Sequence, residues 1–482
     1  MSRSIIGAFL SGLCLYLAVS HMVAFLVWIA LVPMFLVLGK HSAFSPWRNR
    51  RSFLTGLVTG ATFSVCAFVW VIPGAHAFTG ASIGYGLAIF LLFVSVFSFG
   101  CATLLWLTPP VLIAPTWVLA EIVLQWAAEK MPWFLFHIGN ALASDLYAIQ
   151  PVSVIGVAGA GFVIITVNYL VALAIRRRSW KYAWAPLLLF GSYMIWAWWL
   201  LPSSDKKQGP SFTLSILTEN IPPEIPWDQT NGNERVQELL RQQDQCLVGH
   251  PQMILWAESA IPWTWSPDDE LVGELLRHSG PQPVTHILGM NTAVSAGVVR
   301  NSAYCLLPGG KTAGRYDKRK PLLFIEQPGL GWQLPFISSG GYSVEPGDSD
   351  LPLVTPYGKA GVLICNESVL PDVAASRVRQ GAQFLLNMSN DGWYRNTWLV
   401  AQHFYNARLR AVETRKDLAV NSNNGWSGCI YASGRIDTTG LLFTIRPNEE
   451  RPMAVRHPLL PAYACLFFLI TITGTARWRS PH

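Results

Sequence analysis

Long apolar runs dominate the chain up to about residue 202, and shorter apolar runs separated by polar residues take over from there to about residue 457. Runs long enough to cross about 30 Å of hydrocarbon predict spanning helices near residues 4 to 20, 22 to 39, 53 to 74, 80 to 107, 110 to 128, 152 to 175 and 183 to 201. LLPAYACLFFLITITGTA predicts one more at about 458 to 475, so the pattern amounts to about eight spans. The first run has Arg3 ahead of its apolar core, as a signal peptide does, but no A-x-A pattern follows and further spans come at once.

The polar linker SSDKKQGPS, residues 203 to 211, ends the membrane half. Beyond it the period alternates between that of a strand and that of a helix. FTLSIL, QMILWAE, VTHILGM, AYCLLP, AGVLIC, QFLLNMS, DLAVNSNN and GCIYAS predict strands. NERVQELLRQQDQCL, DDELVGELLRHS, AASRVRQGA and TWLVAQHFYNARLRAVETRK predict helices. Such alternation points to a layered α/β domain. The expected organisation is a multi-span membrane domain over 1 to 202, a soluble α/β domain over 203 to 457, and a final span with a tail over 458 to 482.

Composition agrees, with 51% hydrophobic residues against 13% charged, more apolar side chains than one soluble core can use. Charge adds the orientation. Lys40, Arg48, Arg50 and Arg51 lie between the second and third spans, and Arg176, Arg177, Arg178 and Lys181 between the sixth and seventh. Basic loops stay in the cytoplasm. Counting on, the α/β domain faces outward, and Arg477 and Arg479 return inside. Much of the net charge of +7 is thus topology, and no nucleic-acid partner is needed to explain it.

Eight cysteines divide evenly between the halves. Cys14, Cys66, Cys101 and Cys465 fall in predicted spans, where a thiol acts as a small apolar side chain. Cys246, Cys305, Cys365 and Cys429 show neither C-x-x-C nor paired Cys/His spacing, so no metal site is expected. Their spacing requires no disulfide, although an oxidising compartment permits one.

In a layered α/β domain functional residues gather at strand ends. Glu258 ends QMILWAE, Cys365 ends AGVLIC, and Lys318 sits in GRYDKRK. A thiol must lose its proton to attack a carbonyl, and no histidine accompanies it in these motifs. A carboxylate in an apolar setting can be the base, and Glu258 lies among Leu255, Trp256, Ala257, Ala260 and Ile261. A lysine ammonium can stabilise the oxyanion that follows, together with the N–H after the cysteine. Each residue also has an ordinary reading, since a cysteine at a strand end usually packs and a loop Glu or Lys is usually solvated.

The neighbouring residues change that balance. ILWAESAIP resembles the P-E-T-A-I-P segment of the carbon-nitrogen hydrolase (nitrilase) superfamily, YDKRKPLLFIE its lysine segment, and GVLICNES its I-C-Y-E elbow. NIPPEIPWD, SNDGWY and NSNNG resemble further segments of its membrane-bound branch, the apolipoprotein N-acyltransferases, in the same order. The resemblance implies an α-β-β-α sandwich on about eight helices, with Glu258 as base, Lys318 as oxyanion stabiliser and Cys365 as nucleophile. It implies supporting roles for Trp227, Glu326, Glu367, Asn390 and Trp393. It further implies a ping-pong reaction in the bacterial inner membrane, with the catalytic domain in the periplasm, no cofactor, and a monomer as the working unit. The acyl donor would be a phospholipid, typically phosphatidylethanolamine, and the acceptor the N-terminal diacylglyceryl-cysteine of an apolipoprotein. Asn366 stands where tyrosine is usual, Ala257 replaces a proline, and Lys320, Leu323 and Ile325 replace the H-L-V-P-F-G pattern, so Asn366 and residues 320 to 325 are candidates for setting the acceptor. A related acyltransferase or amidase with another acceptor, and a non-catalytic binding or transport protein, are the competing readings. Against transport, the spans hold few ionisable residues, with Glu121 the main exception.

Overall fold

The computed structural model describes residues 2 to 38, 44 to 79, 82 to 131, 136 to 178, 180 to 201, 210 to 221, 227, 230 to 280, 282 to 323, 325 to 327, 343 to 394 and 396 to 478. Lys40, Arg479, most of the linker, the prolines of NIPPEIPWD and the side chain of Trp393 lie outside the described residues.

The first half is helical: α1 (Ser2–Ser20), α2 (Val32–Val37), α3 (Arg50–Phe68), α4 (Val71–Thr79), α5 (Ile83–Leu107), α6 (Ile113–Ala127), α7 (Val152–Arg177) and α8 (Trp184–Leu200). Among the described residues four segments are long and apolar enough to cross a membrane: Arg3–Ser20, Ile83–Leu107, Pro110–Ala127 and Val152–Arg177. The other apolar runs depart from single long helices for identifiable reasons. Residues 22 to 39 divide into a 3-10 turn, Ala24–Trp28, and the short α2, which has Pro33 in its first turn. The backbone freed at that break is satisfied by neighbouring helices: Asn168 donates to the Val27 carbonyl (2.9 Å) and accepts from the Leu31 N–H (2.8 Å), and Ser11 accepts from the Met34 N–H (2.8 Å). Residues 53 to 74 cross from α3 into α4 just before Pro73, whose ring cannot sit in an unbroken helix.

The second half is a two-sheet sandwich. One sheet holds β1 (Phe212–Leu217), β2 (Met253–Trp256), β3 (Thr285–Ser295), β4 (Val298–Leu306) and β5 (Thr312–Asp317), with β6 (Ser343–Val344) beside β4. The other runs β12-β11-β10-β9-β8-β7, from β7 (Leu353–Thr355), β8 (Gly358–Ile364), β9 (Phe384–Asn390), β10 (Leu418–Asn423), β11 (Gly428–Ile430) and β12 (Ile436–Asp437). β13 (Leu442–Ile445) returns to pair antiparallel with β1. Strand alternation builds the layers. Met253 and Leu255 of β2 meet Val362, Ile364, Leu386 and Met388 between the sheets, whereas Ile254 and Trp256 face outward. Helices α9 (Gly232–Leu247) and α10 (Glu270–His278) cover the first sheet, and α11 (Pro371–Arg379) and α12 (Leu399–Thr414) the second. Helices on both outer faces explain why several strands read as continuous apolar runs.

All predicted strands and helices of this domain are present, whereas β5, β6, β7, β12 and β13 were not legible. These are short or polar strands at the margins, too brief or too polar to carry an apolar signal. After the sandwich, α13 (Met453–Arg456) leads into α14 (Leu460–Trp478).

The two halves are fastened through α12. Arg415, just past its end, donates to Gln150 Oε1 (2.7 Å), Ser153 Oγ (3.0 Å) and the Leu200 carbonyl (3.2 Å). Arg408 reaches the Ala143 carbonyl (2.7 Å). Glu413 accepts from the Val157 N–H (3.2 Å), where left-handed Gly156 interrupts α7. The segment from 136 to 151 is therefore mostly buried against α12, including the 3-10 turn Ile138–Ser144.

Candidate active site

β2 and β3 run parallel, and β5 is antiparallel to β4, which is itself antiparallel to β3. The C-terminal ends of β2 and β5 therefore lie on one edge of their sheet, and they deliver Glu258 and Lys318 there. In the second sheet β8, β9 and β10 are mutually parallel, so Cys365, Asn390 and Asn423 leave along one edge. Ligand sites in α/β sheets form at carboxyl edges of this kind.

Lys318, only 1% exposed, is the hub. Its Nζ donates to Glu258 Oε1 (3.3 Å) and Glu326 Oε1 (3.0 Å). Burial alone would push its ammonium down, but Glu258, Glu326 and Cys365 hold it well above the ordinary lysine value. Glu258 also accepts from Asn301 Nδ2 (2.7 Å) and the Asn390 N–H (3.1 Å). Burial pushes this carboxyl up, with Glu326 adding to the rise, while Lys318 and Asn301 oppose it.

Cys365 is buried and left-handed (φ 51°), a conformation costly for a side chain with a Cβ and found where surroundings impose it at functional sites. Burial raises its thiol, Glu258, Asp391 and Glu326 raise it further, and Lys318 lowers it. The resting cysteine is thus a neutral thiol beside a lysine and carboxylates, so a base must take its proton before it attacks.

Glu367 closes the elbow. It accepts from Tyr316 Oη on both oxygens (2.9 and 2.8 Å), from the N–H groups of Arg319 (2.8 Å) and Lys320 (3.2 Å), and from that of Ile364 (2.9 Å). This one carboxylate ties the strand end that bears Cys365 to the segment that bears Lys318. Arg377, fully buried, donates to Tyr316 Oη and completes the support. Behind the elbow, His403 of α12 is within hydrogen-bond reach of the Cys365 carbonyl (3.0 Å) through Nε2 and of Asp391 (2.8 Å) through Nδ1. The histidine absent from the local motifs is therefore supplied by tertiary structure, aimed at the nucleophile's backbone.

A family model described as Carbon-nitrogen hydrolase matches residues 219–439, and one described as Apolipoprotein N-acyltransferase N-terminal domain matches residues 11–170. The curated protein "Apolipoprotein N-acyltransferase" of Geobacter metallireducens is 25% identical over 100% of this chain and 96% of its own length. Its namesake from Gloeobacter violaceus is 27% identical over 85% of this chain and 80% of that protein. The crystal structure of a carbon-nitrogen hydrolase from Helicobacter pylori G27 covers 53% of this chain and 95% of that one, at 16% identity and a TM-score of 0.37. The two family models thus fall on the two halves of the chain, which is similar over most of its length to the apolipoprotein N-acyltransferases.

Within this acyltransferase fold the structure brings Glu258, Lys318, Glu326, Cys365, Asn366, Glu367 and Asn390 together. Trp227 lies apart, on the α9 side, edge-on to Trp263 (5.4 Å between centroids) with the Arg235 guanidinium over its ring (5.2 Å). Asn366, a candidate from sequence for setting the acceptor, is buried, and its Nδ2 donates to the Lys320 carbonyl (2.8 Å). Lys320 turns toward the membrane half, where its Nζ meets Glu129 Oε2 (2.7 Å), and the neighbouring Leu323 N–H donates to the Lys130 carbonyl (3.0 Å). The altered segment after the lysine is thus a junction with the helices.

Sequence reasoning missed Asn301, Tyr316, Arg377, Asp391 and His403. Asn301 lies two residues ahead of AYCLLP, outside the run read as a strand, and left no signal. The others stand far apart along the chain, and nothing local pairs them.

Proposed function

We propose that this chain acylates the N-terminal diacylglyceryl-cysteine of apolipoproteins, taking the acyl chain from a phospholipid such as phosphatidylethanolamine through a thioester on Cys365. The observation that carries the reading is the convergence of Glu258 and Lys318 from one sheet with Cys365 from the other. Glu258 accepts the proton of Sγ as sulfur attacks the ester carbonyl. The Lys318 ammonium, with the N–H that follows Cys365, stabilises the oxyanion. Collapse expels the lysophospholipid alkoxide, which takes the proton back from Glu258, and leaves the thioester. The acceptor's amine then attacks that carbonyl and passes a proton to Glu258. The amide departs, and the proton returns to the Cys365 sulfur.

Glu326 holds Lys318 in place, Glu367 and Asn366 fix the elbow, and Asn390 orients Glu258 through its N–H. Trp227 and Trp393 have supporting roles in substrate binding. No metal or organic cofactor takes part, and the chain works as a monomer. On this reading the chain has three parts, 1 to 202, 203 to 457 and 458 to 482, with about eight spans in the inner membrane and the catalytic domain in the periplasm. The basic loops at Arg48 to Arg51 and Arg176 to Lys181 support that orientation. A nucleophile held just above the bilayer meets two lipid-anchored substrates by a two-dimensional search.

Purified protein mixed with fluorescently acylated phosphatidylethanolamine and a diacylglyceryl-cysteine peptide tests the reading. An acyl-enzyme should form on lipid alone, be absent in Cys365→Ala, and discharge when peptide is added. Rapid discharge by water would make the chain a hydrolase, and no acyl-enzyme in the wild type would refute the mechanism.

A further inference from the structure

A cleft of about 970 Å³ opens between β1 and α9, outside the site just described. Its walls carry Asn220, Asn231, Gln242, Gln245 and Ser427, and Glu219 lies at its base. Glu219 is 5% exposed, and no donor among the described residues bonds either carboxylate oxygen. Burial pushes this carboxyl up to about 7. The N–H groups of Glu219 and Ala257 lie on its side and temper the rise, but neither closes to hydrogen-bond geometry. Nearby cations are engaged elsewhere: Arg241 is paired with Glu238 (2.5 Å), and Arg235 lies over Trp227.

An unpaired buried carboxylate is costly unless a partner arrives to satisfy it. A proton satisfies it below about pH 7, and above that the candidate partner is an organic cation, since among the described residues no group of His, Cys, Asp and Glu could hold a metal ion. The amide-lined walls supply donors and acceptors suited to an extended peptide backbone. The membrane helices dock chiefly against α12 and α13, on the second sheet, whereas β1 and α9 belong to the first. A soluble polypeptide therefore reaches this cleft more readily than a headgroup held in the bilayer.

We propose that the cleft between β1 and α9 binds the polypeptide of the acceptor, with Glu219 receiving an ammonium or guanidinium side chain. This rests on the acyltransferase reading and adds a peptide subsite to it. The subsite communicates with the base. The Ile221 N–H donates to Asn423 (2.8 Å), Asn423 donates to Asn390 Oδ1 (3.1 Å), and the Asn390 N–H donates to Glu258 (3.1 Å).

The test uses full-length protein in nanodiscs and two labelled peptides, one with lysines after its first residue and one with norleucine in their place, read by fluorescence anisotropy. The lysine peptide should bind wild type about ten- to a hundredfold more tightly, the range of a charge-assisted contact, and Glu219→Gln should erase the difference. Equal binding of both peptides by wild type overturns the proposal, as does a preference that survives Glu219→Gln. Displacement of the peptide by soluble glycerophosphoethanolamine overturns it in favour of a lipid headgroup. If the variant does not fold, the wild-type comparison decides alone. Because binding is read without turnover, a wild type that never forms an acyl-enzyme refutes the catalytic reading and not this one.

Discussion

Glu367→Gln tests how the elbow is held. The variant keeps the side chain's shape while turning one oxygen into an NH₂ donor. With the amide nitrogen at Oε1 it confronts the N–H groups of Arg319 and Lys320, and at Oε2 it confronts that of Ile364. The second orientation costs less, losing one backbone bond and leaving donor against donor. A bond to a charged group is worth about 1.5 to 3 kcal/mol and a stranded buried donor costs about 1 to 3, so the loss is about 3 kcal/mol. At about 2 to 4 °C per kcal/mol, the melting temperature falls by about 6 to 12 °C in scanning fluorimetry. Cys365 directly follows the loosened Ile364, so acyl-enzyme formation slows by up to about a hundredfold, with lipid affinity little changed. A melting temperature within about 1 °C of wild type, together with normal acylation, would refute the view that Glu367 clamps the two sheet edges.

Asn301→Leu removes a donor that favours the Glu258 carboxylate, so the acid limb of the acylation rate should move to higher pH, read from the pH profile of acyl-enzyme formation. Glu219→Gln bears on stability through linkage. The folded carboxyl titrates near 7 against an ordinary value of 4.5, so the fold binds the extra proton, and stability present below about pH 4.5 is lost as pH rises through 7. Without a bound cation the variant should therefore gain up to about 3 kcal/mol on wild type at pH 8 relative to pH 4, and melting curves showing no such divergence would contradict the burial cost. Arg415→Ala strands Gln150, Ser153 and the Leu200 carbonyl, and a loss of about 2 to 4 kcal/mol is expected, with protease cutting between the halves as the readout.

The sequence by itself determined most of the layering. Strands with both faces covered must be apolar throughout, so QMILWAE, AGVLIC and QFLLNMS announced themselves, and the residues ending the first two are Glu258 and Cys365. Apolar runs likewise located the helices of the first half, four of which are, among the described residues, long and apolar enough to cross a membrane. Where those helices break was decided by tertiary structure, because Pro33 and Pro73 permit a break only if neighbours such as Asn168 and Ser11 satisfy the freed backbone. The support of the site was also a tertiary matter. Glu367 reads as one more acid beside a cysteine until folding surrounds it with Tyr316, Arg319, Lys320 and Ile364. His403 lies on a helix 38 residues beyond the nucleophile and meets its carbonyl only when α12 packs on the second sheet. Periodicity reports which face of an element is buried, and a chain carries that information locally. Which polar groups meet inside the fold depends on the register of elements far apart in sequence, and the three-dimensional packing alone decides it.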